Sequence, residues 1–348
     1  MILSDENLNK IEVSPIMESL KILKIDDSEY FGDKFTQYIS NSRLSLLNPA
    51  QENNPEAFFD GLSKHNKYSD SLIFGSAVHE LVLQPELFEL VTSVDRPTAK
   101  LGFVADYLYN DYVTENITES LIIKASNEID YYKGKLNKER IDNIISLCTP
   151  YWSSRKSYED SLSNTGLSQI YLDSKSRDRV LRCVNALNTN KAISDLLYPK
   201  GMFIDPIYGN EQAILLDLNI KIPGENSFIF KIKAKLDNYS IDTECNTITV
   251  NDVKTIGKIL PEFENNFSKF HYSRELAIYS WLLSLVASKY YNMSKCLVRS
   301  NCLVVSTIPN YYTKVYKVTK KDFIDGWNEF TYLIRLAAYY YNEGYRFL

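Results

Sequence analysis

The sequence predicts an α/β fold, a mixed central sheet flanked by helices with a largely helical N-terminal half. Three observations predict it. In QAILLDLNIKI, residues 212–222, the even positions Ile214, Leu216, Leu218, Ile220 and Ile222 are all apolar. After a turn at Pro223-Gly224-Glu225-Asn226, FIFKIKAKLDNY repeats that alternation, and TITVNDVKTIG, residues 247–257, alternates a third time. Strand side chains repeat every second residue, so these are three consecutive strands, the first two an antiparallel pair. Helical periodicity dominates on either side of them.

In chain order, residues 1–36 are polar and acidic with scattered apolar positions and read as a strand or arm. In YISNSRLSLLNPA, Asn41 or Ser42 caps a short helix carrying Leu44 and Leu47, and Pro49 stops it. Residues 51–70 read as a loop with one helical turn. SLIFGSAVHELVL, residues 71–83, is a helix whose small residues Gly75, Ser76 and Ala77 permit close packing. His79 sits mid-helix, and its residue type suits either a core histidine or a metal ligand. Residues 86–200 read as mostly helical, with amphipathic segments at 124–147 and 174–199. Arg177, Arg179 and Arg182 are read as a solvated face, with phosphate contact the alternative.

Beyond the three strands, 261–269 reads as a polar loop and HYSRELAIYSWLLSLVASKYY as a helix on which Glu275 and Tyr279 face the same way. CLVVSTI, 302–308, is an apolar strand, NYYTKVYKV an edge strand, and 320–342 a closing helix with Phe323, Trp327, Phe330 and Ile334 on its buried stripe. No internal repeat or low-complexity linker interrupts the chain. The simplest organisation is an arm at 1–36 and one domain at 37–348, with a helical insertion at about 91–200 and a core at about 203–345.

Composition narrows the function classes. The chain has 348 residues, 45% hydrophobic and 24% charged, and it uses Tyr 26 times and Gly 12 times. That is an ordinary globular balance with an aromatic-rich core. A net charge of −5 argues against a general nucleic-acid binder but leaves room for a local basic groove or a carboxylate-rich metal site. Five cysteines without CxxC spacing exclude a disulfide framework and a zinc or iron–sulfur cluster, and fit a reducing cytosol. The start MILSDENLNK has neither a basic n-region nor an apolar h-region, and no apolar run is long enough for a membrane span.

The chemistry concentrates on the strands. Asp252 and Lys254 lie two apart and share a face. As a bare D-x-K, that is an ion pair or half of an active site. On the preceding strand Lys231, Lys233, Lys235 and Asp237 share a face, which is either solvated or a basic wall leading to an acidic site. Glu211 precedes the first strand. Clustered hard oxygen donors suit Mg²⁺ or Mn²⁺, and a neighbouring ammonium suits an attacking water.

The order Glu211, Asp237, Asp252-Val253-Lys254 and then a helical tyrosine resembles the PD-(D/E)XK nuclease superfamily. More narrowly, it is similar to phage and prophage exonucleases of the RecE (exonuclease VIII) type, related to RecB nuclease domains. LIFGSAVHELVLQPELF resembles the helix F-G-x-x-x-H-x-L-V-L-x-P-x-x-F, whose histidine binds metal, here His79. NEQAILL is similar to the strand with the first acid, Glu211. KAKLDNY matches K-x-x-x-D at Asp237, and NDVKTIG matches D-[LV]-K-T at Asp252 and Lys254. YISNSRLSLLNPA and STIPNYYTKVYKVTKKDFIDGW are similar to the entry and closing segments.

The resemblance implies a restriction-endonuclease-like sheet and a metal-dependent exonuclease on linear double-stranded DNA. His79, Asp237, Asp252 and the Val253 carbonyl would be Mg²⁺ or Mn²⁺ ligands, with Lys254 and Glu211 catalytic. Lys231, Lys233, Lys235 and Glu275 would face DNA, and Tyr279 would contact DNA or brace the site. It further implies a homo-oligomer, a partner single-strand annealing recombinase, and a place in phage recombination within a bacterial cytoplasm. One position departs from the pattern. The family's Q-x-x-x-Y has Glu275 for its glutamine, a carboxylate that repels phosphate unless protonated, paired with Arg274 or bound to metal. An endonuclease of the same fold and a catalytically silent DNA-binding scaffold are the alternatives.

Overall fold

The computed structural model describes residues 4–50, 53–60, 70–92, 96–111, 117–132, 136–162 and 168–347. It divides into two compact units, one of residues 1–64 with 187–348 and one of residues 65–186. The strands in chain order are β1 (Glu12–Lys24), β2 (Tyr38–Ile39), β3 (Phe88–Thr92), β4 (Ser168–Leu172), β5 (Ile207–Lys221), β6 (Phe228–Asp242), β7 (Thr247–Ile256), β8 (Leu297–Ser306) and β9 (Thr313–Lys317).

The first unit is built on a mixed seven-stranded sheet in the order β1-β5-β6-β7-β8-β9, with β2 added along β6. The expected fold class, a mixed central sheet flanked by helices, is what forms. The long β5–β6 hairpin follows from the alternation: Ile214, Leu216, Leu218 and Ile220 are fully buried, and Phe230, Ile232, Ala234 and Leu236 are buried on the partner strand. Each such side chain contributes about 1.5–3 kcal/mol of burial, so a register slip that exposed the row would be costly. β6 to β7 is antiparallel, whereas β7 to β8 is parallel, because the helix Tyr272–Tyr291 intervenes as a crossover.

That crossover helix packs on β7 and against the closing helix Lys320–Asn342. The closing helix starts at a capping box formed by Thr319 and Asp322. Gly326 lets the two helices approach closely, since a Cβ there would lie 2.2 Å from the Ser273 carbonyl oxygen. Residues 12–24, expected as a strand or arm, form β1 at the sheet edge, antiparallel to β5.

The second unit has its own core of Phe103, Val104, Leu108, Ile122, Ile144 and Tyr151. The helices Asp70–Leu83, Ala99–Asp111, Glu119–Glu128 and Lys138–Leu162 supply it. Asp106 is its polar anchor, accepting from Arg96 at 2.7 Å and from the Tyr151 hydroxyl at 2.6 Å.

Several local expectations are corrected. The cap of the short helix Asn41–Leu44 is Ser40, whose hydroxyl accepts from the Arg43 amide. Residues 261–269, expected as a loop, form the helix Phe263–Lys269, its apolar residue Phe263 buried. The segment 124–147 is not one helix: one ends at Glu128 and the next begins at Lys138. The mostly helical stretch 86–200 also contains the parallel pair β3–β4. Residues 55–60 form the helix expected within 51–70, while 61–69 lie outside the described residues. Among the described residues, no helix is long and apolar enough to cross a membrane.

Candidate active site

Strand register assembles the site. β5 pairs with β6 through Asn210–Asn238 and Gln212–Leu236, which sets Glu211 opposite Asp237. β6 and β7 pair as far as Asn238–Asn251, and Asp237 and Asp252, one residue beyond on each strand, interact electrostatically. Residues opposite one another point to the same face. Glu211, Asp237 and Asp252 therefore stand in one row across three neighbouring strands, with Lys235 and Lys254 two residues away on the same face. Glu211 adopts a left-handed backbone at φ 51°, a conformation that costs a non-glycine residue on the order of 1 kcal/mol or more. The strand thus carries local strain at the acidic residue.

The contacts fall into two linked groups. Glu211 and Asp237 bring carboxylate oxygens within 4.8 Å of each other. Lys235 Nζ sits 2.7 Å from Glu211 Oε2 and also pairs with Asp27. Asp237 Oδ2 accepts from the Val253 backbone N–H at 2.8 Å, tying β6 to β7 at the site. Lys254 Nζ donates to Asp252 Oδ1 at 2.9 Å, lies 3.6 Å from Glu275 Oε2, and rests 4.8 Å from the centre of the Tyr272 ring. The Tyr279 hydroxyl donates to Glu275 Oε1 at 3.0 Å.

The electrostatics are those of crowded acids around one lysine. Burial pushes the Asp237 carboxyl up to about 7; Lys254 opposes this, and Glu211 and Glu275 add to it. Asp252, only 1% exposed, is pushed up in the same way by burial, against Lys254 and with Glu275 and Asp237 adding. Burial works against the Lys254 ammonium, but Asp252, Glu275 and Asp237 outweigh it and hold the proton on firmly. Tyr272 is pushed up to about 12, chiefly by burial.

This donor set fits a hard divalent cation. The Asp252 Oδ2 atom is buried and has no hydrogen-bond partner, although it lies 2.9 Å from Lys254 Nζ, off hydrogen-bond geometry. The ammonium supplies charge but no hydrogen bond to it, so this buried oxygen remains a donor available to a divalent cation. Burial likewise raises the carboxyl of its neighbour Asp237, against the pull of Lys254. Carboxylate oxygens, with no thiolate among the donors, are what Mg²⁺ and Mn²⁺ prefer.

The remaining candidates lie outside the acidic row. His79 lies in the second unit, half-buried on the helix Asp70–Leu83. The expected lysine face does not form as one surface. Lys233 is buried, donates to the Tyr30 carbonyl at 2.7 Å, and lies 4.4 Å from the centre of the Tyr30 ring. Lys235 is committed to two carboxylates, and only Lys231, beside the Tyr38 ring, stays half-exposed without such a cover. The alternation gave the shared face correctly, but the segment around Tyr30 covers it.

Tyr279 is also buried, so it braces Glu275 rather than presenting itself to a ligand. Arg274 does not pair with Glu275. It is fully buried and donates to Asn41, Ser45 and Glu329, while Glu275 turns to Lys254. The sequence reading missed Tyr272 and Asp27. Tyr272 is three residues before Glu275 and shares its helix face, a spacing that marks it. Asp27 carries no such signal.

No family model and no curated protein matches the sequence. Among solved structures the chain is similar to a provisionally named exonuclease from Eubacterium rectale, with a TM-score of 0.40 and 9% identity, over 91% of this chain and 87% of that one.

Proposed function

We propose that this protein is a divalent-metal-dependent deoxyribonuclease of the PD-(D/E)XK kind, degrading linear double-stranded DNA from an end. The observation that carries the reading is the row Glu211, Asp237 and Asp252 across three strands, with Lys254 bonded to Asp252. Asp237 and Asp252 would hold Mg²⁺ or Mn²⁺, with Glu211 and the Val253 carbonyl beside them. His79 enters as a further ligand on the strength of the sequence resemblance. The bound cation would supply Lewis-acid polarisation of the scissile phosphate and a more acidic water.

The chain's own groups do the rest. Lys254, held by Asp252 and Glu275, orients the attacking water and sets positive charge against the developing phosphorane. Glu275 and the Tyr272 ring hold that ammonium in place, and Tyr279 holds Glu275. Lys231 is the lysine of its face left to meet a phosphate backbone. The resemblance adds a homo-oligomer, an annealing recombinase as partner, and action in phage DNA processing inside a bacterial cytoplasm.

The test is a time course with Mg²⁺ or Mn²⁺ on linear duplex, linear duplex with blocked ends, and covalently closed circles. Exonuclease action degrades the first and spares the other two. Equal cleavage of closed circles would sink the exonuclease assignment and leave an endonuclease.

A further inference from the structure

We propose that Asn210, Asn238, Asn251 and Asn301 are positioning residues that lock the acidic row in register, an inference that rests on reading that row as a metal site. The four are mutual partners across four adjacent strands: Asn210 with Asn238, Asn238 with Asn251, and Asn251 with Asn301. Their side chains form one directed chain of amides. Asn301 Nδ2 donates to Asn251 Oδ1 at 2.9 Å, Asn251 Nδ2 to Asn238 Oδ1 at 2.7 Å, and Asn238 Nδ2 to Asn210 Oδ1 at 2.7 Å. The spare protons are used too. Asn251 donates to the Leu196 carbonyl and Asn238 to the Leu197 carbonyl, satisfying the last turn of the helix Lys191–Leu197.

The placement connects this ladder to the site. Asn210 precedes Glu211, Asn238 follows Asp237, and Asn251 precedes Asp252, so three of the four amides are one residue from an acid and point to the opposite face. Asn238 and Asn251 are fully buried and Asn301 nearly so. Apolar contacts on a sheet face tolerate small sliding, whereas a buried amide chain does not. A one-residue slip of β7 would carry Asp252 to the wrong face and strand several buried amide groups without partners. A direct reporter of the alignment exists in the Val253 N–H, which donates to Asp237 Oδ2.

The experiment measures residue-resolved amide hydrogen exchange of the metal-free protein, and Mn²⁺ affinity, for wild type, Asn251→Ala and a control, Leu218→Ala. Leu218 is buried on β5 at a distance along the strand from the row. Exchange is compared at equal distances below each variant's melting temperature. The expected result is that Val253 exchanges about tenfold faster in Asn251→Ala than in the control, and that Mn²⁺ affinity drops by about tenfold, the size seen for groups that orient metal ligands. Asn301→Ala, which removes one terminal link, gives the same change in smaller measure and serves if Asn251→Ala does not fold. Equal Val253 exchange in the asparagine and leucine variants overturns the positioning role. A wild type without Mn²⁺ affinity overturns the metal site instead, and the exchange comparison still decides the ladder.

Discussion

Asp237→Asn in the metal-free protein isolates the electrostatics of the acidic row. Asp237's carboxyl is pushed up to about 7, first by burial and then by Glu211 and Glu275, against Lys254 and the Val253 amide. In an unfolded chain the same group titrates near 4. Between about pH 4 and pH 7 the native state holds a proton the unfolded state has released, so stability falls as pH rises through that window. Three pKa units at about 1.4 kcal/mol each set a ceiling of about 4 kcal/mol, and the partial exposure of Asp237 brings this to about 2 kcal/mol by solvent screening. At about 2 °C per kcal/mol for a chain of this size, that is a shift of roughly 4 °C. The carboxamide does not titrate and still accepts from the Val253 N–H. Thermal unfolding with chelator present, at about pH 5 and about pH 8, should show the Asp237→Asn variant gaining several degrees on wild type at the higher pH. Mn²⁺ should restore the wild type there, because binding to the native state alone stabilises it. Parallel pH profiles for the two proteins would refute the reasoning.

Three other changes probe neighbouring groups. Lys254→Met leaves the buried Asp252 and the half-buried Glu275 without their cation, so unfolding should show a loss of about 3–5 kcal/mol, and cleavage should fall by about 100-fold or more; near-normal cleavage contradicts the assigned role. Glu275→Gln keeps an acceptor for the Tyr279 hydroxyl and removes a negative charge beside Lys254, so DNA binding at low salt should tighten; weaker binding counts against Glu275 as the repulsive element. Lys233→Ala removes a buried, engaged side chain, so it should cost about 1–3 kcal/mol of stability while leaving the salt dependence of DNA binding unchanged; a shallower salt slope would mean that Lys233 contacts phosphate.

Much of the sheet was legible because it depends on a period of two. Ile214 to Ile222 and Phe228 to Leu236 declare a buried face with no help from the rest of the chain, and the same parity places Lys254 with Asp252. Parity stops short of saying what lies above a face. It assigned Lys233 to the row of Asp237, but the cover comes from Tyr30, some two hundred positions earlier, by tertiary packing. The departure at Glu275 was visible, but its partner was not: the neighbouring Arg274 looked suitable by adjacency, yet on a helix adjacent residues diverge, and Arg274 turns to Glu329 while Glu275 faces Lys254. The asparagine ladder escaped notice for a related reason. Four single asparagines on four strands look unremarkable until the register sets them side by side.

The most direct test of the central claim is cleavage of end-labelled linear duplex, with Mg²⁺ or Mn²⁺ and with chelator, by wild type, Asp252→Ala and Lys254→Ala. The account predicts that wild type releases label only when the metal is present and that both variants are inactive while remaining folded. Equal activity in all three proteins, or wild-type activity unaffected by chelator, would contradict it.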